Sequence, residues 1–273
     1  MAFAQPSRPA PLPALFVPHG APTLVLQPGA AGAALARLAA DLPRPRAIVV
    51  VSAHWETEEP TVGTAPDLET LHDFAGFPPA LYRVRYPAGA DLAVAETVRK
   101  LLRQGGFAAH LDHGRGLDHG AWTPLCLMYP EGGIPVVPLS LQAGRSPAHH
   151  LRLGRALAPL LADGILLLAS GNLTHNLGDF HQAFAAGGGT PAYVGEFAEW
   201  IGQRLAAGDE AALLDYRRQA PAAVRAHPSE EHLLPFFVAL GAGGPACRPE
   251  RRYHGIDAAV LAMDSYAFWP AAA

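Results

Sequence analysis

The chain has 273 residues, 50% of them hydrophobic, and a formal net charge of −4. That is enough apolar material for one large α/β domain or two small ones, and the mild acidity gives no electrostatic reason to bind nucleic acid or an anionic membrane. Two cysteines, Cys126 and Cys247, rule out a disulfide framework and a cysteine-built zinc site, and no apolar run reaches the ~18 residues that would suggest a membrane span.

The N-terminus carries Pro6, Pro9, Pro11 and Pro13 and lacks the apolar core of a secretion signal. Residues 1–12 are therefore expected to be a disordered leader, and the protein cytoplasmic. Residues 14–17 read as a short strand, ended by Pro18-His19-Gly20. Residues 29–42 have apolar positions at helical spacing and stop before Pro43 and Pro45. Residues 47–51 are five apolar side chains, four of them β-branched, as in a strand buried on both faces of a parallel sheet. His54 follows at once, where α/β sheets place their ligands.

Residues 57–86 form a long proline-rich connection whose aromatics, Phe74, Phe77, Tyr82 and Tyr86, argue for a folded wall over a pocket. A helix is expected over 91–104, then a loop over 114–120 holding Asp118-His119-Gly120, then a helix over 122–128 with Pro124 in its first turn. Residues 134–141 read as a strand in which Pro138 marks an edge or a bulge. After a helix over 148–161 comes a buried strand over 165–170, followed by Gly171-Asn172-Leu173-Thr174-His175. Residues 191–207 and 209–216 look helical. The segment from His227 to about Leu240 reads as a further helix, capped by Ser229, with Glu230 and Glu231 in its first turn. The tail, 253–269, alternates like a closing strand. The expected fold is a single three-layer α/β/α domain over residues 13–273, with a mostly parallel or mixed central sheet.

The chain holds 13 histidines. His19, His54, His175 and His232 lie at loops sharing one rim of the sheet, and His119 sits in a fifth loop. A mononuclear metal site gathers its ligands from separate strands in this way. No local spacing signature accompanies them, so the residues alone leave two readings open: a metal site, or unrelated loop histidines. His110, His113, His149, His150, His181 and His254 lie in helices or polar loops and read as surface residues.

Six stretches in order carry a family likeness: Leu15-Phe16-Val17-Pro18-His19-Gly20, Val51-Ser52-Ala53-His54-Trp55-Glu56-Thr57, His72-Asp73-Phe74-Ala75-Gly76-Phe77-Pro78, Gly116-Leu117-Asp118-His119-Gly120-Ala121-Trp122, Gly171-Asn172-Leu173-Thr174-His175-Asn176-Leu177 and His227-Pro228-Ser229-Glu230-Glu231-His232. From about Leu12 to Trp269 the chain resembles the DODA-type extradiol aromatic ring-opening dioxygenases, in the class III group that also holds the catalytic subunit of protocatechuate 4,5-dioxygenase. The resemblance implies an α/β domain with a non-haem metal, Fe(II) for activity, with Zn(II) often occupying the site. By motif, the ligands would be His19, His54 and His232. His175 would be a fourth ligand or a catalytic base, and His119 would contact substrate or oxygen.

Such a shell departs from the usual two histidines and one carboxylate, keeps the full charge of the ion, and also suits Zn(II). The implied reaction inserts O2 into the ring of a catechol, DOPA or a related diol, to give a muconic semialdehyde. Trp55, His72, Phe74, Phe77 and Trp122 are the candidate substrate-packing residues. The competing expectations are a zinc hydrolase using a three-histidine water and a non-catalytic metal-binding protein. A monomer or small homo-oligomer is expected.

Overall fold

The computed structural model describes residues 11–186 and 189–271. The leader expected over 1–12 lies outside the described residues as far as residue 10. Leu12 is buried, and its amide donates to the Leu161 carbonyl at 3.1 Å.

The strands are β1 (Ala14–Pro18), β2 (Ala47–Thr57), β3 (Thr61–Gly63), β4 (His110–Asp112), β5 (Val136–Gln142), β6 (Ile165–Gly171), β7 (Arg248–Tyr253), β8 (Ile256–Asp257), β9 (Leu261–Ala262) and β10 (Ser265–Trp269). Eight of them form one sheet in the order β4-β3-β5-β2-β6-β1-β10-β7, while β8 and β9 pair separately. The centre is parallel: β5 with β2, β2 with β6, and β6 with β1. β10 runs antiparallel to both β1 and β7, and β3 antiparallel to β5, so the sheet is mixed.

Every residue of β1, β5 and β6 is buried, which follows from helices covering both faces. Successive side chains alternate between those faces. Ala47, Val49 and Val51 join one core with the helices Leu92–Gln104, Pro147–Leu157, Ala192–Ala206 and Leu234–Gly243. Ile48 and Val50 join the other with the helices Gly29–Ala40 and His119–Met128. The result is the expected three-layer arrangement. Each fully buried Leu, Ile or Val adds about 1.5–3 kcal/mol of transfer free energy.

Several local expectations change. The strand read over 47–51 continues to Thr57. Its register against β5 slips between Val51↔Leu139 and Glu56↔Leu141, so the chain bulges around His54. Pro138 is not at an edge, since β5 lies between β3 and β2. A proline is tolerated there because β3 meets β5 only at Val62↔Leu139, so little hydrogen bonding is lost.

The third helix starts at His119, three residues early, because the Asp118 side chain accepts the Ala121 amide and caps it. Pro124 therefore sits inside the helix and cannot donate to the carbonyl of Gly120. The helix expected from 227 begins at Leu234. Ser229 does not cap it; its hydroxyl donates to Glu231 at 3.1 Å. His232 is thus held in a turn before the helix. The helix read over 148–161 breaks at Pro159.

Strands β4 and β7 and the helix Leu177–Ala186 were not anticipated. His150 is not a surface residue: it is fully buried, with Nε2 accepting the Gln142 amide at 3.2 Å.

Candidate metal centre

The carboxyl ends of β1, β2 and β6 meet at one point. His19 follows β1, and its amide donates to the Gly171 carbonyl at 3.1 Å. Ser170, in β6, donates to the Gly120 carbonyl at 2.5 Å, the oxygen that Pro124 leaves without a helical partner. A hydroxyl has one proton to give. Ser170 Oγ must therefore accept from His19 Nδ1, 3.0 Å away. That fixes the His19 tautomer and leaves its Nε2 as a lone pair.

His54 projects from the bulge of β2, and its Nε2 stands 3.2 Å from Nε2 of His19. The bulge is braced beneath. Ser52 donates to Asp118 at 2.5 Å, and Arg115 reaches both Asp118 at 2.7 Å and the His54 carbonyl at 3.4 Å. Gly120 packs against this bracing. A Cβ there would lie 2.4 Å from Ser52 Oγ and 2.9 Å from His54 Cδ2.

His119 opens its helix against Asp73. One carboxylate oxygen accepts both its amide and its Nδ1 at 2.9 Å, and the other lies 3.8 Å from His54 Nδ1. Burial alone would raise the Asp73 pKa, but the hydrogen bonds and charge of His119 hold it at about 2. Nδ1 of His232 donates to Glu231 at 2.9 Å, while its Nε2 is buried without a partner. The His232 turn is clamped to the sheet: its carbonyl accepts the Asn172 amide at 3.0 Å. A Cβ on Gly171 would come within 2.1 Å of that oxygen. His175 stacks on His232 with centroids 3.4 Å apart and planes at 7°. Of the five rings, only His175 has neither nitrogen hydrogen-bonded among the described residues.

Burial, followed by repulsion between the rings, drives His19 and His232 well below the ordinary histidine pKa. Burial takes His54 and His175 to about 4. A neutral imidazole with Nδ1 tied back, as in His19 and His232, keeps the lone pair on Nε2 that a metal can accept. Nitrogens bound at roughly 2.0–2.1 Å in a tetrahedral shell stand about 3.3 Å apart, close to the His19–His54 separation of 3.2 Å. Donor atoms of His19, His54 and His119 lie within 4.8 Å of one another, and those of His175, Glu231 and His232 form a second such trio. The expected trio of His19, His54 and His232 thus spans both groups, with the His232 ring centroid 5.2 Å from His19 and 4.9 Å from His54.

The five histidines face a cavity of about 660 Å³, with Phe74, Phe77, Leu177 and Phe180 on its walls and Glu56, Glu231 and His181 among its polar lining. Burial and the neighbouring Glu231 push the Glu56 carboxyl above its usual range. Trp55, His72 and Trp122 are not part of this wall. Trp55 lies under the Arg115 guanidinium at 5.1 Å. Trp122 is fully buried and donates to the Leu71 carbonyl at 2.8 Å. His72 and Trp122 pack on Phe74 at 5.7 and 6.2 Å.

Sequence reasoning did not single out Ser170, Asp73, Glu56, Glu231 or His227. His227 is fully buried and donates through Nε2 to the Leu173 carbonyl at 2.7 Å, two residues before His175. Asp73 lies within a quoted motif and Ser170 borders one, but their partners are remote in sequence.

A parallel-centred α/β sheet presenting a histidine cluster to an apolar cavity defines a metal-dependent enzyme. The family model described as the catalytic LigB subunit of aromatic ring-opening dioxygenase matches residues 14–268, and the chain belongs to that family. It is a non-haem, metal-dependent extradiol ring-cleaving dioxygenase, in agreement with the motif resemblance and in place of the hydrolase and non-catalytic readings.

Among its relatives, 4,5-DOPA dioxygenase extradiol of Beta vulgaris is 39% identical over 226 residues, covering 82% of this chain and 83% of the relative. The Escherichia coli (strain K12) protein of the same description is 38% identical over 236 residues, 85% of each chain. The crystal structure of an uncharacterized protein from Escherichia coli K12 superposes with a TM-score of 0.76 at 32% identity, covering 94% of this chain and 99% of that one. Among the described residues no helix is long and apolar enough to cross a membrane.

Proposed function

We propose that His19, His54 and His232 hold one Fe(II) ion, that the substrate is a DOPA-like catechol, and that His175 is the base. The buried, unpartnered Nε2 of His232 carries this reading. Leaving such a group unmet costs about 1–3 kcal/mol, a cost that an ion shared with His19 and His54 removes. The Nε2 of His119 is not sequestered in this way, and its ring borders the cavity. His119 is therefore assigned to substrate or oxygen. Zn(II) fits the same neutral shell and is the expected substitute.

When bound, the ion supplies the positive charge that ionises a catechol hydroxyl and the redox chemistry through which O2 reacts. The side chains do the rest. Phe74 and Phe77 pack the ring and, with Phe180, keep water from it. His175, unprotonated because its pKa lies at about 4, accepts the proton of the second hydroxyl at a free ring nitrogen. Glu231 raises its proton affinity and so stabilises the imidazolium that forms. His119, held by Asp73 as the Nδ1–H tautomer, presents Nε2 to the reacting groups. His175 then returns its proton as the ring opens.

The test is anaerobic purification, Fe(II) loading, and exposure to DOPA and air. Oxygen uptake with a yellow semialdehyde is expected. His232→Ala should lose bound metal on elemental analysis, and His119→Ala and His175→Ala should retain it while losing most turnover. Full metal occupancy in the His232 variant, or unchanged ring opening in the His175 variant, would overturn the assignment.

A further inference from the structure

Apart from its histidines, the ionisable lining of the cavity is acidic. Its lining includes two carboxylates, Glu56 and Glu231, and among the described residues no lysine or arginine. His181 is the one lining imidazole outside the central five. The two carboxylates are placed differently. Glu231 is engaged through one oxygen, Oε1, which accepts from Ser229 at 3.1 Å and from His232 at 2.9 Å. Glu56 has no hydrogen-bond or ion-pair partner among the described residues. It lies on β2 two residues beyond His54, just past the bulge. Arg115, which reaches the backbone of the same strand at His54, is engaged with Asp118 and the His54 carbonyl instead.

The structure assigns Glu56, seconded by Glu231, as a charge filter that favours catechols with an ammonium side chain over those with a carboxylate. This rests on the ring-cleaving reading of the same site. Two like charges facing one cavity repel, and a ligand cation between them relieves that repulsion. A ligand carboxylate adds a third negative charge and finds no lysine or arginine to meet it. Phe74, Phe77 and Phe180 add a second preference of the same sign, because aromatic faces attract ammonium groups. A catechol amino acid, carrying both charges, falls between the two extremes.

The experiment compares three catechols differing only at the side-chain terminus: 3,4-dihydroxyphenethylamine, 4-ethylcatechol and 3,4-dihydroxyphenylacetate. Binding to Fe(II)-loaded protein is measured by anaerobic equilibrium dialysis, where turnover cannot occur, and ring opening is then followed in air. The ammonium compound should bind roughly fivefold or more tightly than the carboxylate, the scale expected for a partly exposed ion pair. Glu56→Gln should narrow that ratio, Glu56→Lys should invert it, and added salt should narrow it in the unaltered protein. The salt series decides the matter if the variants fail to fold. A ratio at or below one, or one indifferent to both salt and Glu56→Gln, would overturn the assignment. Binding in the expected order with no ring opening in air would remove the ring-cleaving reading and leave the charge filter standing.

Discussion

Ser170→Ala tests whether the metal centre depends on a tautomer set at a distance. The hydroxyl of Ser170 has two duties, donating to the Gly120 carbonyl and accepting from His19 Nδ1. Removing it leaves the Gly120 oxygen without either partner, because Pro124 has no amide to offer. A buried acceptor stranded in this way costs about 1–3 kcal/mol, which for a chain of this size lowers Tm by roughly 2–4 °C for each kcal/mol. His19 also loses the contact that keeps its proton on Nδ1. Loss of a hydrogen bond behind a metal-binding histidine weakens metal affinity about 10–100-fold.

The two effects separate in a double variant. Pro124→Ala supplies the missing helical amide, so Pro124→Ala/Ser170→Ala should recover most of the lost Tm and none of the metal affinity. Calorimetry and competitive metal titration read the two quantities. Unchanged metal affinity in Ser170→Ala, or joint recovery of affinity and Tm in the double variant, would refute the account.

Asp73→Asn should fold and bind metal, yet lose about 10–100-fold in kcat, because a neutral amide holds the His119 tautomer less firmly than a carboxylate does; turnover near the unaltered rate would contradict this. Gly171→Ala places a Cβ 2.1 Å from the His232 carbonyl, so the protein should melt well below the parent and lose metal; a normal melting curve would show that the turn can move away. His150 titrates at about 4 in the folded chain against an ordinary 6.5. Its folded pKa is depressed, so its contribution is whole above pH 6.5 and is lost as pH falls towards 4, up to roughly 3 kcal/mol. His150→Gln should flatten the decline of Tm across that window, and an unaltered slope would mean other groups carry the acid sensitivity.

The centre of the sheet was readable because strands buried on both faces must be apolar throughout. The residues of β1, β2 and β6 leave no competing interpretation. The strand β7, Arg248–Tyr253, could not be read that way. It is an edge strand whose charges are satisfied by partners such as Glu250 and Asp264 rather than by water alone. The helix begun too early at 227 fails for a related reason. Ser229 and the acidic pair look like a cap, but Ser229 and Glu231 bond within the turn itself, while Glu230 and the His232 carbonyl are taken by Tyr216 and Asn172. The histidines were legible from their places after strands. Asp73, Ser170 and Gly120 were not, since each acts through an atom more than 40 residues away in the chain. Residue type alone does not announce such a contact.

The position of β1 bears on how the protein is made. Its two neighbours in the sheet are β6 and β10. A growing chain therefore carries β1 without a partner from Pro18 to Ile165, 147 residues. At ~5–20 residues per second that wait is roughly 7–30 s. His19 cannot meet His232 until later still. A nascent chain must shelter an apolar strand throughout this interval, so chaperone demand should fall on the early chain. Retained metal would then report that synthesis has passed His232.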